Sequence, residues 1–167
     1  MGRELILVID TSGSMHGASI EQARAGVLQA LAQLDPRDRF NVIQFNSDVD
    51  SLFDRARAAN AANLQQARRY VRRLDADGGT EMRPALLTAL SQAEPSDLLR
   101  QVVFLTDGAV GNERALFALI QQRLGNSRLF TVGIGSAPNA YFMRRAARFG
   151  RGSFTFIGST AEVETQI

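Results

Sequence analysis

L-I-L-V-I-D-T-S-G-S-M, Leu5 to Met15, is the stretch whose reading decides the fold. Five apolar residues without polar interruption read as a strand buried on both faces, as in the centre of a parallel sheet. The run ends on the carboxylate of Asp10, and hydroxyls follow at alternate positions, Ser12 and Ser14. In open α/β sheets, ligands sit beyond the carboxyl ends of the strands, where strand order reverses. The stretch therefore predicts an architecture and also the edge at which it works.

Downstream, Ile20, Ala23, Val27, Leu31 and Leu34 recur at helical spacing. Ser19 with Gln22 three residues on reads as a capping box for that helix, and Asp35-Pro36-Arg37-Asp38 ends it. Phe40 to Phe45 is a second strand. The Asn46-Ser47-Asp48 turn joins it to a weak third strand, Val49 to Phe53, as an antiparallel hairpin. Leu64, Ala67, Val71 and Leu74 mark a second helix, and Met82 to Ala93 a third. Gln101 to Leu105 repeats the opening device, an apolar run that ends at Thr106-Asp107-Gly108. Leu116 to Leu124 is a fourth helix with Asn112 as its cap. Leu129 to Ile134 is a strand, Pro138 to Phe149 a helix and Ser153 to Ile157 a last strand. The alternation predicts an α/β fold in three α/β/α layers, with a mostly parallel six-stranded sheet and one antiparallel edge strand.

A length of 167 residues fits one domain. Cysteine is absent, which excludes disulfides, thiolate nucleophiles and Cys-based zinc sites. All 19 basic residues are arginine, and the net charge is +2. The simplest reading of that all-arginine set is genomic composition. Arg68, Arg69, Arg72 and Arg73 cluster on the second helix and Arg144, Arg145 and Arg148 on the fifth. Tyr70 is the one aromatic inside these clusters and no recognition motif accompanies them, so they read as solvated helix faces and no nucleic acid is expected. No signal peptide or membrane span is visible. Ala161 to Ile167 reads as a helix just starting, so the expectation is a monomeric domain, residues 1–167, cut from a longer protein with its last helix truncated.

The two strand-end carboxylates, Asp10 and Asp107, converge if their strands are neighbours. Ser12 and Ser14 point the same way from an extended or gently turning segment. Thr80 lies on the Gly78-Gly79 loop, whose backbone freedom can bring its hydroxyl to the same place. Such a set of oxygens suits Mg²⁺, Mn²⁺ or Ca²⁺ rather than zinc or copper. A cation would relieve the repulsion between the carboxylates, and three neutral hydroxyls would leave it a strong Lewis acid with a position open to a partner's carboxylate. The alternatives are ordinary: aspartates and Thr80 as helix caps, serines as turn residues. His16, the one histidine, invites a Ser/His/Asp reading, but no G-x-S-x-G elbow is present, and it is placed at the rim of the metal face. Glu113 is expected to border that face, and Asp77 to serve the loop. Gly133 to Pro138 lacks the third glycine of a dinucleotide loop and reads as a tight turn before a helix.

Taken together, D-T-S-G-S at Asp10 to Ser14, G-G-T at Thr80 and T-D-G at Asp107 resemble the metal-ion-dependent adhesion site (MIDAS) of von Willebrand factor A (VWA) domains. All five positions match, and the resemblance covers essentially the whole chain. The segments D-P-R-D-R-F-N-V from Asp35, D-G-G-T-E from Asp77 and F-L-T-D-G-A-V-G-N-E from Phe104 are similar to the domain of inter-α-trypsin-inhibitor heavy chains and related bacterial surface proteins, some of them sortase targets. The stretch F-T-V-G-I-G-S-A-P-N from Phe130 is similar to the bacterial members. The resemblance implies a Rossmann-like fold with Ser12, Ser14 and Thr80 on the metal and Asp10 and Asp107 on it directly or through water. It implies Mg²⁺ as the first choice of cation, a protein ligand that supplies Asp or Glu, no catalysis, and a parent in the cell envelope or outside the cell. Two rival functions are an intramolecular scaffold that docks another domain of the parent and a metal-dependent hydrolase, for which the set lacks a clear general base.

Overall fold

Every residue from Leu5 to Asp10 is at most 3% exposed, and all belong to strand β1 (Arg3–Asp10). The computed structural model describes residues 2–91, 98–107, 113–135 and 140–157. β1 is the axis of the sheet because its two faces serve two cores. Leu5, Leu7 and Ile9 pack on one side with helices α1 (Ala18–Ala32) and α2 (Ala61–Arg72). Ile6 and Val8 pack on the other with α3 (Met82–Leu90), α4 (Glu113–Arg123) and α5 (Ala140–Phe149). Burying five such side chains contributes roughly 8–15 kcal/mol before entropy, which exceeds the several kcal/mol needed to carry one carboxylate into the interior.

β2 (Arg39–Phe45) and β5 (Leu99–Thr106) flank β1, both parallel to it. β6 (Arg128–Ile134) and β7 (Arg151–Ile157) extend the sheet beyond β5, also parallel. On the other side, β3 (Val49–Ser51) pairs antiparallel with β2, giving the order β3-β2-β1-β5-β6-β7. The chain thus leaves β1 in one direction for β2 and later returns to its other edge as β5. That reversal puts the switch point between β1 and β5, beyond Asp10 and Thr106.

The six expected strands are present, and the structure adds a seventh. β4 (Arg57–Ala58) pairs antiparallel with Arg39 and Phe40 of β2. Two residues of R-A-R-A carry no alternation, so no pattern announced it. β3 is shorter than expected because the Asn41 side chain takes over its ladder. Asn41 Oδ1 accepts the Phe53 N–H at 3.0 Å, and Nδ2 donates to the Phe53 carbonyl at 3.0 Å.

The capping box at Ser19 and Gln22 is not formed. α1 begins two residues earlier, at Ala18 after Gly17 with φ 85°, and no side chain caps it. The preceding turn forces the chain through a left-handed residue there, so the glycine sets the helix start. Gln22 instead accepts the Gly135 N–H at 3.4 Å. The expected roles of Ala93, Asn112 and Pro138, and the helix expected from Ala161, lie outside the described residues.

Candidate metal centre at the carboxyl edge of the sheet

Asp10 ends β1 fully buried. Its Oδ1 accepts the Ser12 N–H at 2.8 Å and the Ser12 hydroxyl at 2.5 Å. Its Oδ2 accepts the Thr106 hydroxyl at 2.6 Å. Burial pushes the Asp10 carboxyl above its ordinary value, against the hydrogen bonds from Ser12 and Thr106, and the nearby Asp107 charge adds to the rise. Both oxygens are satisfied, so the carboxylate is held in one orientation before any ligand arrives.

Of the expected extended or gently turning segment, Ser12 is extended and a tight 3₁₀ turn, Gly13–Met15, follows it. Met15 is the anchor: its side chain is fully buried in the α1–α2 core, and its N–H bonds to the Ser12 carbonyl at 2.9 Å. With Met15 pinned inward, buried Ser12 and exposed Ser14 lie side by side, their hydroxyl oxygens 3.1 Å apart. A chain of polar groups therefore runs from buried Thr106 through Asp10 and Ser12 to exposed Ser14.

The loop after α2 is tied to this turn through its backbone. Asp77 N–H donates to the Thr11 carbonyl at 2.8 Å, and Gly13 N–H to the Gly78 carbonyl at 2.9 Å. Gly78 takes φ 78°. Gly79 N–H donates to Ser47 Oγ at 2.8 Å and Glu81 N–H to the Asn46 carbonyl at 2.7 Å. Thr80 is half-buried between these tethers. It does not cap α3, whose cap position is Glu81 with no side-chain hydrogen bond. No hydrogen bond joins its hydroxyl to Asp10, Ser12 or Ser14, so its place at this edge rests on the backbone alone.

Asp107 follows Thr106 at the end of β5 and is half-buried. Asp10, Ser12 and Ser14 are thus in direct contact, and Asp107 is close enough to act on Asp10 by its charge. His16 is exposed, its N–H on the Gly13 carbonyl at 3.1 Å. Asp77 is exposed and joins through its backbone. Glu113 opens α4 and is half-buried.

Among the described residues no group of three or more His, Cys, Asp or Glu side chains could hold a metal ion. A cation at this edge would depend on two carboxylates and on hydroxyls. Oxygen donors of this kind suit a hard divalent cation. Mg²⁺ at 2.0–2.1 Å from its ligands places adjacent octahedral oxygens roughly 2.9 Å apart, and Ca²⁺ at 2.3–2.6 Å spreads them to roughly 3.3–3.7 Å. The Ser12–Ser14 separation of 3.1 Å, that of a hydrogen bond between the two hydroxyls, falls midway between the two.

Thr106 lies outside the five positions that the motifs mark. The signal that finds it is strand parity. Val102, Phe104 and Thr106 share one face of β5, as Ile6, Val8 and Asp10 share the same face of β1, and the α3–α5 core holds their apolar members.

A family model described as the von Willebrand factor type A domain matches residues 3–156. The chain belongs to that family. This VWA domain is 31% identical over 165 residues to a von Willebrand factor A domain-containing protein of Dictyostelium discoideum, covering 98% of the chain and 18% of that protein. It is 36% identical over 162 residues to inter-alpha-trypsin inhibitor heavy chain H4 of Sus scrofa, covering 89% of the chain and 17% of that protein. The domain spans less than a fifth of the length of these relatives. Among solved structures, a von Willebrand factor type A protein from Catenulispora acidiphila superposes with a TM-score of 0.87 at 24% identity, over 98% of the chain and 40% of that protein. VWA domains generally mediate protein–protein interactions, often with a metal, and their relatives here are mostly not enzymes.

Proposed function

We propose that this VWA domain is a metal-dependent protein-binding module of the adhesion type. Asp10, Ser12, Ser14, Thr80 and Asp107 would hold a divalent cation, Mg²⁺ before Mn²⁺ or Ca²⁺. When bound, the cation supplies a Lewis-acidic position for an Asp or Glu of a protein ligand. The observation that carries the reading is the run of oxygens from buried Asp10 through Ser12 to exposed Ser14. It connects a fixed interior charge to the surface at the switch point of the sheet.

Each residue has a distinct task. Asp10 provides the buried negative charge, and Thr106 and the Ser12 N–H hold its two oxygens. Met15 keeps the turn from slipping, with the buried Ser12 hydroxyl on Asp10 and the exposed Ser14 hydroxyl beside it. The Gly13–Gly78 bond holds the Thr80 loop against the turn. Asp107 adds a second negative charge at the open side. Family resemblance supports a parent in the cell envelope or outside the cell as part of this proposal. Among the described residues no helix is long and apolar enough to cross a membrane. The same site could dock another domain of the parent, a reading favoured by relatives more than five times the domain's length.

Calorimetric titration of Mg²⁺ and Mn²⁺ into chelator-treated protein tests the site. Saturable binding near one ion per chain, abolished in Asp107→Ala, is the expected result. A folded domain that takes up no ion at millimolar metal would remove the mechanism.

A further inference from the structure

Helix α2 carries a second feature that the metal edge does not use. Arg68, Arg69, Arg72 and Arg73 lie on and just after its last turns, and residues 61–73 contain no Asp or Glu. Arg68–Arg72 and Arg69–Arg73 are i,i+4 neighbours and Arg69–Arg72 are i,i+3. Each like-charge pair opposes the helix by about 0.2–0.5 kcal/mol. The helix C-terminus favours cations, but one or two would serve that purpose. Among the described residues none of the four forms an ion pair.

Arg69 and Arg73 line an open groove of about 540 Å³ together with Gln44, Leu52, Tyr70 and Leu74. That size falls within the range of ligand sites. The carboxylate at its rim, Asp50, is engaged by Tyr70 and Gln44. The Tyr70 hydroxyl donates to Asp50 Oδ2 at 2.6 Å, and Gln44 Nε2 approaches the same oxygen at 3.5 Å. Asp50 keeps its charge but is turned to these neutral donors and forms no ion pair with Arg69 or Arg73. The groove also adjoins the metal-site turn, because Gln44 Oε1 accepts the Thr11 hydroxyl at 3.2 Å.

We propose that this groove is a docking site for an acidic, amphipathic polypeptide segment. Its Asp or Glu side chains would engage Arg69 and Arg73, and its apolar residues would lie on the partly buried Leu52. Guanidinium forks match carboxylates in two-point geometry, and the partly buried Leu52 gives apolar side chains a contact that a phosphate backbone cannot use. A nucleic acid fits less well. Tyr70 is the one aromatic in the groove; its ring packs on the core and its hydroxyl is bound to Asp50, so it offers no free stacking face. The four arginines span only ~7.5 Å of helix, too short a track for a polyanion. The proposal does not depend on a metal.

The test is run in chelator, so that failure of the groove and failure of the metal site are told apart. A fluorescent peptide alternating Glu and Leu is titrated into the intact chain, into Arg69→Glu/Arg73→Glu, and into Arg144→Glu/Arg148→Glu on the opposite layer. Circular dichroism checks that all three are folded. A loss of about tenfold or more in affinity is expected for the α2 variant and less than about twofold for the α5 variant. The Gln44 side-chain amide resonance should shift on peptide addition. Equal losses in both variants, no binding at ~1 mM peptide, or tighter binding of a single-stranded oligonucleotide or of heparin in about 0.15 M salt would overturn the proposal.

Discussion

The Thr106 hydroxyl donates to Asp10 Oδ2 at 2.6 Å across 96 positions of sequence, with both residues buried. One strand end thereby orients the carboxylate of the other. The bond lies inside the protein, so its worth is set by what replaces it when it is lost.

Thr106→Val keeps the shape and removes the donor. One oxygen of a buried carboxylate then lacks its partner, which costs about 1–3 kcal/mol. Urea denaturation of the metal-free domain should show a lower midpoint with an unchanged slope. Thr106→Ser, which keeps the donor, should recover most of the loss.

Asp10→Asn tests the charge itself. Burial holds the Asp10 carboxyl above its ordinary 3.8, with Asp107 adding to the rise. A raised folded-state pKa supports the native state fully below the unfolded value, and that support is lost as pH climbs through the folded one. Metal-free wild type should therefore lose stability relative to Asp10→Asn as pH rises above the ordinary carboxylate value of 3.8. Millimolar Mg²⁺ should restore the wild type and leave the variant unmoved. Parallel melting curves for both proteins at every pH would contradict this.

Gly78 takes φ 78°, and a Cβ there would meet Ser47 Oγ at 3.0 Å. Gly78→Ala strains the backbone by about 1–2 kcal/mol and displaces the oxygen that accepts Gly79 N–H. Metal affinity should fall along with stability, because the Thr80 loop shifts while Asp10 and Ser12 stay in place. Calorimetry on the folded variant reads this directly.

At Gly152 an added Cβ would collide with the Leu129 carbonyl, where the β6–β7 register shifts between Leu129 and Thr131. Gly152→Ala should destabilise by about 1–3 kcal/mol. Hydrogen exchange should show β7 losing protection while β1 keeps it. Uniform loss across the sheet would mean that β7 is not a separable edge.

The fold was legible wherever burial wrote itself into the pattern. β1 and β5 are apolar on both faces and were recognised from that alone, as were the helices with repeats such as Ile20, Ala23, Val27 and Leu31. β4 was invisible, because two residues cannot show a period. The capping box failed at Ser19 because the geometry of a preceding turn, not local helix chemistry, fixed where α1 begins at Gly17. At the site, Asp10, Ser12 and Ser14 could be read from their spacing, and the structure brings them into direct contact. Met15 and Thr106 could not, since their roles depend on which way a turn rolls and which strands become neighbours. The backbone tie between Gly13 and Gly78 left no trace at all: main-chain groups are the same in every residue.

The placement of β1 between β2 and β5 has a consequence for synthesis. Leu5 pairs with Gln101, so one edge of the most apolar strand stays bare until residues 99–106 have left the ribosome. At translation speeds of about 5–20 residues per second, the wait is roughly 5–20 s. Through that interval a half-made sheet with an open, flat, aliphatic edge is exposed to self-association. The nascent chain should therefore engage a holding chaperone and release it once β5 has been made.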